Sequence, residues 1–287
     1  MRSAFISLSL LLTAIFLMVL AAGNSNVVWA NGFACGAMRP ENETARDVIH
    51  VSPREIEGEN VVSLQELSDY FGWSFEVCED TKEVTIASSS DENSPSEEET
   101  SSYESESSES ESESAEGDQD MSRATFVIGA DEFSGRELKT SPFEYEGEVF
   151  VGADMTRLLI GELQDQRIKF ISWLEADRNE YEKGDEVEVN MALWNVSGRN
   201  HTLNFNTGQV YDLKIVDMEN DEEVWRWSDG RAFTMALQEI SLAAGELKNW
   251  QETFSLDEDI AAGKYSLSGK IVSSEGIPFN TREVKIR

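Results

Sequence analysis

The sequence predicts a multi-domain chain, with a small α+β domain followed by an all-β domain of the immunoglobulin-like sandwich class. Three observations support this prediction. Residues 45–87 combine one helical pattern with short strand patterns, residues 88–120 change abruptly to serine and acidic residues, and residues 166–287 contain many short strand patterns separated by turn residues. Many short strands at close spacing are typical of a sandwich or barrel and not of a parallel sheet.

Composition narrows the possible functions. The chain has 287 residues, of which 40 % are hydrophobic, and this is enough to form ordinary cores. Its formal net charge is -33, so a nucleic acid would meet repulsion over most of the surface. We therefore expect no nucleic-acid partner.

The N-terminus carries a predicted signal peptide at residues 1–30. A basic start at Arg2 precedes an apolar run over residues 4–22, and Val28-Trp29-Ala30 offers the small residues that signal peptidase reads. The protein is therefore expected to be secreted, or associated with the cell envelope. The apolar run is also long enough to span a bilayer, so the alternative is a membrane anchor that is not cleaved.

The chain contains two cysteines, Cys35 and Cys78. In an exported protein they could form one disulfide, and the alternative is two unpaired thiols. Gly32-Phe33-Ala34 before Cys35 lacks the aliphatic residue of a lipoprotein motif, which argues against lipidation. The two histidines, His50 and His201, lie far apart in sequence, so we expect neither a transition-metal site nor a cofactor.

The first domain is predicted to start with a strand over 47–51 and a helix at Ser63. Ser63 and Glu66, three residues later, fit a capping box, and Gly72 is a typical helix end. A hairpin over 73–86 follows.

The tract over 88–120 is predicted to be disordered. Its centre, 104–114, alternates serine and glutamate without a basic residue, so like charges repel and nothing apolar can be buried. A calcium-attracting polyanion or a spacer would be functional interpretations. We favour a tolerated surface insertion, because a loose acidic tract lacks the ordered oxygen cage of a tight calcium site. Beyond it, a strand at 125–128, a hairpin over 143–151 and a helix ending at Gly161 are predicted.

These segments carry a first family resemblance. The motifs are Val61-Val62-Ser63-Leu64, Leu67, Phe71-Gly72-Trp73, Phe126-Val127-Ile128-Gly129, Ser141-Pro142-Phe143, Val149-Phe150-Val151, Leu158-Leu159 and Gly161. In this order they resemble the two halves of the copper amine oxidase N-terminal-like domain, a small α+β stalk domain. The resemblance implies that 45–163 is one domain, with 88–120 inserted between paired strands. It implies no oxidase activity, because that family keeps its cofactor tyrosine and copper histidines in a separate catalytic domain.

The C-terminal domain, 166–287, is predicted to consist of short strands. The predicted strands are 168–175, 187–194, 202–205, 210–216, 223–227, 247–254, 265–272 and 283–286. In the second of them Val187, Val189, Met191 and Leu193 alternate with other residues, so this strand is expected to bury one face.

A second, closer resemblance lies in this domain. Its motifs are Gly184, Trp194-Asn195-Val196-Ser197, Phe205-Asn206-Thr207-Gly208-Gln209-Val210-Tyr211-Asp212, Val224-Trp225-Arg226-Trp227-Ser228, Phe233-Thr234 and Ala244-Gly245-Glu246. In this order they resemble the BsuPI-type intracellular proteinase inhibitor family of bacilli. The resemblance implies a β-sandwich that inhibits serine proteases of the subtilisin type. The signal peptide departs from the family's name, so the target is expected outside the cytoplasm.

The aromatic motifs are interpreted as structural, because aromatic residues in alternating strands usually fill sandwich interiors. The predicted structural signature is Tyr211, Asp212, Trp225, Trp227 and Phe233. Asp212 is expected to pair with Arg226 across a hairpin, which is a contact of modest strength if it is exposed.

Contact with a protease is predicted on loops instead, because a protease cleft binds an extended exposed segment as an added strand. The candidate residues are Ser228, Asp229, Gly230 and Arg231 in one exposed loop and Asn195, Val196, Ser197, Gly198, Arg199 and Asn200 in another, with Ser197, Gly198 and Arg199 at its centre. Arg231 is a candidate for the primary specificity position, although subtilisin-type proteases often prefer apolar residues there.

The motifs argue against an enzyme. The sequence has no nucleophile elbow, no HExxH, no phosphate loop and no CxxC, so no catalytic residue is predicted. The favoured function is an exported inhibitor of an extracellular serine protease. The alternative is a non-inhibitory module of the cell envelope or the extracellular space that binds a cell-wall component or another protein.

Overall fold

The computed structural model describes residues 47–88 and 122–287. The predicted signal peptide (1–30), Cys35 and all but the first residue of the Ser/Glu-rich tract therefore lie outside the described residues. The described part is mostly β-structure with two short helices. None of its helices has the length and apolar character needed to cross a bilayer.

We call residues 47–88 and 122–164 the first module. Its elements are β1 (Val48–Ile49), β2 (Arg54–Ile56), β3 (Glu59–Ser63), α1 (Leu64–Phe71), β4 (Trp73–Val77), β5 (Glu83–Ser88), β6 (Arg123–Val127), β7 (Glu132–Phe133), β8 (Arg136–Glu137), β9 (Phe143–Tyr145), β10 (Glu148–Gly152) and α2 (Ala153–Gln164). Strands β2-β3-β10-β9 form one sheet and β4-β5-β6 another. Strands β5 and β6 pair antiparallel, with Ala87 opposite Arg123, so the tract connects two neighbouring strands.

The second module comprises residues 166–287. Its elements are β11 (Phe170–Ala176), β12 (Glu180–Tyr181), β13 (Glu186–Asn195), β14 (His201–Phe205), β15 (Tyr211–Asp217), β16 (Glu223–Arg226), β17 (Gln238–Leu242), β18 (Leu247–Ser255), β19 (Gly263–Ile271) and β20 (Arg282–Ile286). They form the sheets β1-β11-β13-β18 and β12-β20-β19-β15-β16 and the ribbon β14-β17. Residues of both sheets and of the ribbon meet in one hydrophobic core.

Two helix predictions need correction. The side chain of Ser63 does cap α1, but it accepts from Gln65 N at 3.2 Å, while Glu66 accepts from Ser52 N and Arg54. The capping box is therefore half formed, because Glu66 binds Ser52 and Arg54, at the start of β2, instead of the Ser63 N–H. Helix α2 continues past Gly161 to Gln164, since Leu163 of its last turn is buried in the first module's core.

The two modules are joined through shared packing. Strand β1 pairs in parallel with β11 of the second module. Ile171, Trp194 and Val196 of the second module are buried in the first module's core. The end of β13 is therefore buried on both faces, whereas the sequence predicted one buried face, because the first module covers the other.

Candidate functional site

The hairpin β15–β16 forms the edge of the five-stranded sheet. Leu213 and Ile215 of β15 point into the core, where each is about 1 % exposed. The ring of Trp225 stacks on Phe254 of the opposite sheet, with 3.9 Å between the ring centroids. Trp225 is half-buried and so closes one margin of the core between the two sheets.

A group of four side chains, which we call the aromatic cluster, holds the chain that leaves β16. Trp227 lies at its centre, with the ring of Tyr211 at 4.8 Å and that of Phe233 at 5.7 Å. The guanidinium of Arg231 lies over the Trp227 ring at 4.1 Å from its centroid. Such a cation–π contact is worth about 0.5–1 kcal/mol when exposed and more when desolvated. The cluster therefore fixes both ends of the segment 227–233.

Glu252 of β18 connects this cluster to the other sheet. Its carboxylate accepts a hydrogen bond from the Tyr211 hydroxyl at 3.0 Å and lies 3.9 Å from Arg231 Nη1. Burial, and then the hydrogen bond to this carboxylate, raises the pKa of Tyr211, so the phenol stays protonated as the donor. Arg231, the predicted specificity residue, is exposed and also contacts Trp227 and Glu252 within its own module.

Asp212 orients the turn at residues 228–231. It is 8 % exposed and accepts hydrogen bonds from Arg226 Nη1 at 2.8 Å and from the backbone N–H and hydroxyl of Ser228, both at 3.2 Å. Arg226 also binds the exposed Glu223, and both carboxylates, Glu223 foremost, raise the pKa of Arg226. The predicted pair between Asp212 and Arg226 therefore exists, and the buried Asp212 additionally holds the backbone of the turn.

The turn at residues 228–231 presents backbone and the exposed side chains of Asp229 and Arg231. Arg231 N donates to Ser228 O at 3.1 Å, and Gly230 adopts a positive φ of 72°. A side chain at this φ would be strained, which explains the glycine. Asp229 and Gly230 are exposed, whereas Ser228 is half-buried.

The second predicted loop is organised by Asn195. The prediction that Asn195 and Val196 are exposed is wrong, because the end of β13 is buried between the two modules. Asn195 is fully buried, and its Nδ2 donates to the carbonyls of Arg199, Leu242 and Ala243 at 2.8–3.1 Å. Its Oδ1 accepts from the N–H and hydroxyl of Ser197. A polar residue at the end of an apolar strand was the available signal, since asparagine is depleted in strands.

This second loop lies against the first module. A Cβ placed on Gly198 would come within 3.2 Å of Arg157 Nε in helix α2, and Gly198 has a φ of 76°. Ser197 is half-buried, while Gly198 and Arg199 are exposed. The two predicted loops follow strands of different sheets, β13 and β16.

Candidate chemistry elsewhere is sparse in the described part of the chain. No three His, Cys, Asp or Glu side chains within 47–88 and 122–287 lie close enough together to hold a metal ion. Cys78 is exposed, and hydrogen bonds from Thr81 and Asp80, the Thr81 side chain foremost, lower the pKa of its thiol. Its pairing with Cys35 stays a prediction.

Comparison with known proteins assigns a class to most of the second module. Residues 174–276 match the family model of BsuPI, described as intracellular proteinase inhibitor. The match supports the resemblance found in the sequence and is compatible with a non-enzymatic protein. No curated protein sequence matches the chain. The likeness of residues 45–163 to the copper amine oxidase N-terminal-like domain stays a prediction.

Solved structures resemble the chain only weakly. The sporulation control protein Spo0M from Bacillus subtilis is 15 % identical, with a TM-score of 0.29, and the match covers 42 % of this chain and 49 % of Spo0M. The alkylpurine DNA glycosylase AlkC from Pseudomonas fluorescens is 13 % identical, with a TM-score of 0.29, over 42 % of this chain and 30 % of AlkC. The β-glucosidase EmGH1 from Erythrobacter marinus is 15 % identical, with a TM-score of 0.28, over 41 % and 15 %. The chain spans about half or less of each structure, and scores this low carry no functional argument.

Proposed function

We propose that this chain is an exported proteinase inhibitor whose second module binds serine proteases of the subtilisin type through exposed loops. The observation that carries the proposal is the match of residues 174–276 to a proteinase inhibitor family. The resemblance of the motifs supports the subtilisin class, and the predicted signal peptide at residues 1–30 supports export.

The architecture of the second module suits this function. An inhibitor must present a segment that fits a protease cleft without reorganising, because ordering a loop on binding costs about 0.5–1.5 kcal/mol for each immobilised side chain. Here Asp212 and the aromatic cluster hold the turn at residues 228–231, and Asn195 holds the loop 195–200. The contacts are hydrogen bonds and ring contacts within the second module. Loops held in this way by a rigid β-scaffold can enter a cleft as an added strand.

The test is an inhibition assay with the chain from residue 31 onward, which keeps every described residue. Increasing amounts are titrated against several secreted subtilisin-type proteases and against trypsin-type and metal-dependent proteases as controls. We expect stoichiometric loss of activity in the subtilisin class, with the intact mass of the chain retained after incubation. The intact mass separates an inhibitor from a competing substrate.

The proposal is overturned if activity is unaffected across several subtilisin-type proteases. Retention of the same chain on purified cell walls would then favour the alternative of a non-inhibitory cell-envelope module.

A further inference from the structure

Two apolar side chains in the second module are almost completely exposed. Met235 is 87 % and Leu237 is 83 % exposed, whereas the other exposed large apolar side chains among the described residues range from 37 % to 52 %. A single exposed apolar residue is ordinary. Met235 and Leu237, however, lie only two residues apart, in a segment without regular secondary structure. They contribute nothing to a core, so folding does not explain why both residues are apolar.

The segment 234–237 that carries them is short and held at both ends. On one side the Thr234 carbonyl accepts a hydrogen bond from Gly208 N at 2.9 Å, and the preceding Phe233 packs on Trp227. On the other side Gln238 begins β17 and pairs with Phe205 of β14. The segment is therefore a constrained exposed loop, and it would lose little conformational entropy on binding.

Its place in the fold leaves it accessible. In the ribbon β14–β17, Phe205 pairs with Gln238 at one end and His201 pairs with Leu242 at the other. The loop 195–200, which lies against helix α2 of the first module, precedes the His201 end. The segment 234–237 adjoins the opposite, Phe205 end of the ribbon. The two ends are four residues apart along the strand, which corresponds to about 13 Å.

We propose that this segment is the primary protease contact and that Met235 enters the specificity pocket of a serine protease that prefers large apolar residues. The inference rests on the proposed function and deepens it. Met235 is favoured over Leu237 because both of its neighbours, Thr234 and Ala236, are exposed, whereas Leu237 is followed by the half-buried Gln238. The Thr234 carbonyl is already bonded to Gly208 N, so pairing with a cleft would use the other backbone groups of the segment. Leu237 directly precedes the paired Gln238 and acts as a second contact.

This assignment also moves the contact away from Arg231. The Arg231 guanidinium is held by Trp227 and Glu252, and removing it from them would cost the cation–π contact and the ion pair. An apolar residue in the primary position agrees with the preference expected for subtilisin-type proteases, whereas an arginine would not. In this scheme Arg231 supports the loop and does not enter the protease.

The first test compares Met235→Glu with Met218→Glu in the chain from residue 31 onward. Met218 is the matched control, because it is 52 % exposed and lies in the turn between β15 and β16, at the far end of that hairpin. We expect the inhibition constant against a subtilisin-type protease to rise about 100-fold or more for Met235→Glu, as for a hot-spot residue. Met218→Glu should stay within about threefold of the parent chain. Urea unfolding of both variants checks that each remains folded.

The second test asks for a gain of function. Met235→Lys should transfer inhibition towards a trypsin-type protease that prefers basic residues, whereas Met218→Lys should not. A purely structural role for Met235 would not produce this transfer.

The outcomes separate the two proposals. If the parent chain inhibits and Met235→Glu inhibits equally well, the assignment of segment 234–237 is overturned while the proposed function stands. The assignment also fails if Met218→Glu and Met235→Glu lose the same amount. If the parent chain inhibits no subtilisin-type protease, both proposals are overturned.

Discussion

Replacing Asp212 by alanine should destabilise the protein, because the nearly buried carboxylate of Asp212 holds the backbone of the turn at residues 228–231. The change leaves the Ser228 N–H without its acceptor and removes one of the two carboxylates that bind Arg226. A hydrogen bond to a charged group is worth about 1.5–3 kcal/mol, which sets the cost of the Ser228 contact near the lower end because its distance is 3.2 Å. Arg226 keeps Glu223 and is 34 % exposed, so its share is about 0.5–1 kcal/mol.

The expected loss for Asp212→Ala is therefore about 2–3 kcal/mol in the free energy of unfolding, measured by urea titration. Glu223→Ala is the matched control, because Glu223 binds the same guanidinium from an exposed position and holds no backbone group in the turn. It should cost under about 1 kcal/mol. Asp212→Asn keeps an acceptor for Ser228 and should fall between the two. Equal losses for Asp212→Ala and Glu223→Ala would refute the claim that the buried backbone contact dominates.

Three further changes test the interior and the contact between the modules. Asn195→Ala should lower the free energy of unfolding by about 2–4 kcal/mol, because three carbonyls lose their donor. Asn195→Asp should lower it further, because a carboxylate would face the same carbonyls. An Asp variant that melts at a higher temperature than the Ala variant would contradict this. Burial lowers the pKa of His50 in spite of its contact with the Ser172 carbonyl, so the unfolded chain binds the proton first. Stability should therefore fall as the pH drops below about 6.5 towards the lowered folded pKa, by at most about 1.4 kcal/mol per pH unit, and unfolding curves of His50→Asn should be flatter than those of the parent over this range. A fragment of residues 166–287 would expose Trp194, and exposing roughly 200 Å² of apolar surface costs up to about 5 kcal/mol. The melting temperature of this fragment should therefore lie well below that of the chain from residue 31. Equal melting temperatures would show that the shared packing is dispensable.

Much of the second module could be predicted because its signals are local. Each of the eight predicted strands occurs within two residues of its expected bounds, since alternating apolar residues and turn residues such as Gly184 and Gly230 act over a few positions. Strands β12, which has only two residues, and β17 were missed. Strand β17 offered little local signal. Of its five residues only Leu242 is buried, and its one partner is β14, so it carries hardly any apolar alternation of its own.

Features that depend on distant partners could not be predicted. Trp194 looks like a sandwich-core residue in the sequence, yet it is buried in the core of the first module and donates to Gly245 O at 3.0 Å. The end of α2 was misplaced for a similar reason. A glycine within a helix costs about 1 kcal/mol, and here burial of Leu163 two residues later offsets it.

The framework of the candidate site could be predicted from the sequence, whereas the predicted contact loops stay a prediction. Tyr211, Trp227 and Phe233 were grouped by their motifs, and the structure brings them together. The sequence did not reveal that Arg231 folds back over this cluster, because the contact with Glu252 crosses between the two sheets. Nor could the exposure of Met235 be inferred, since apolar residues between strands are as readily interpreted as core.

The shared core bears on how such an inhibitor would work. If the first module served only as a spacer, the sandwich would not need to bury Ile171, Trp194 and Val196 against it. The ion pair between Lys169 and Asp47 and the hydrogen bonds between His50 and Ser172 lie at the same contact. The first module thus contacts the end of the second module at which the loop 195–200 lies, while Gly198 and Arg199 stay exposed there. Segment 234–237 adjoins the opposite end of the β14–β17 ribbon, where Met235 and Leu237 are almost completely exposed. If the proposed contact is correct, the first module therefore supports the second module without covering the segment that binds the protease.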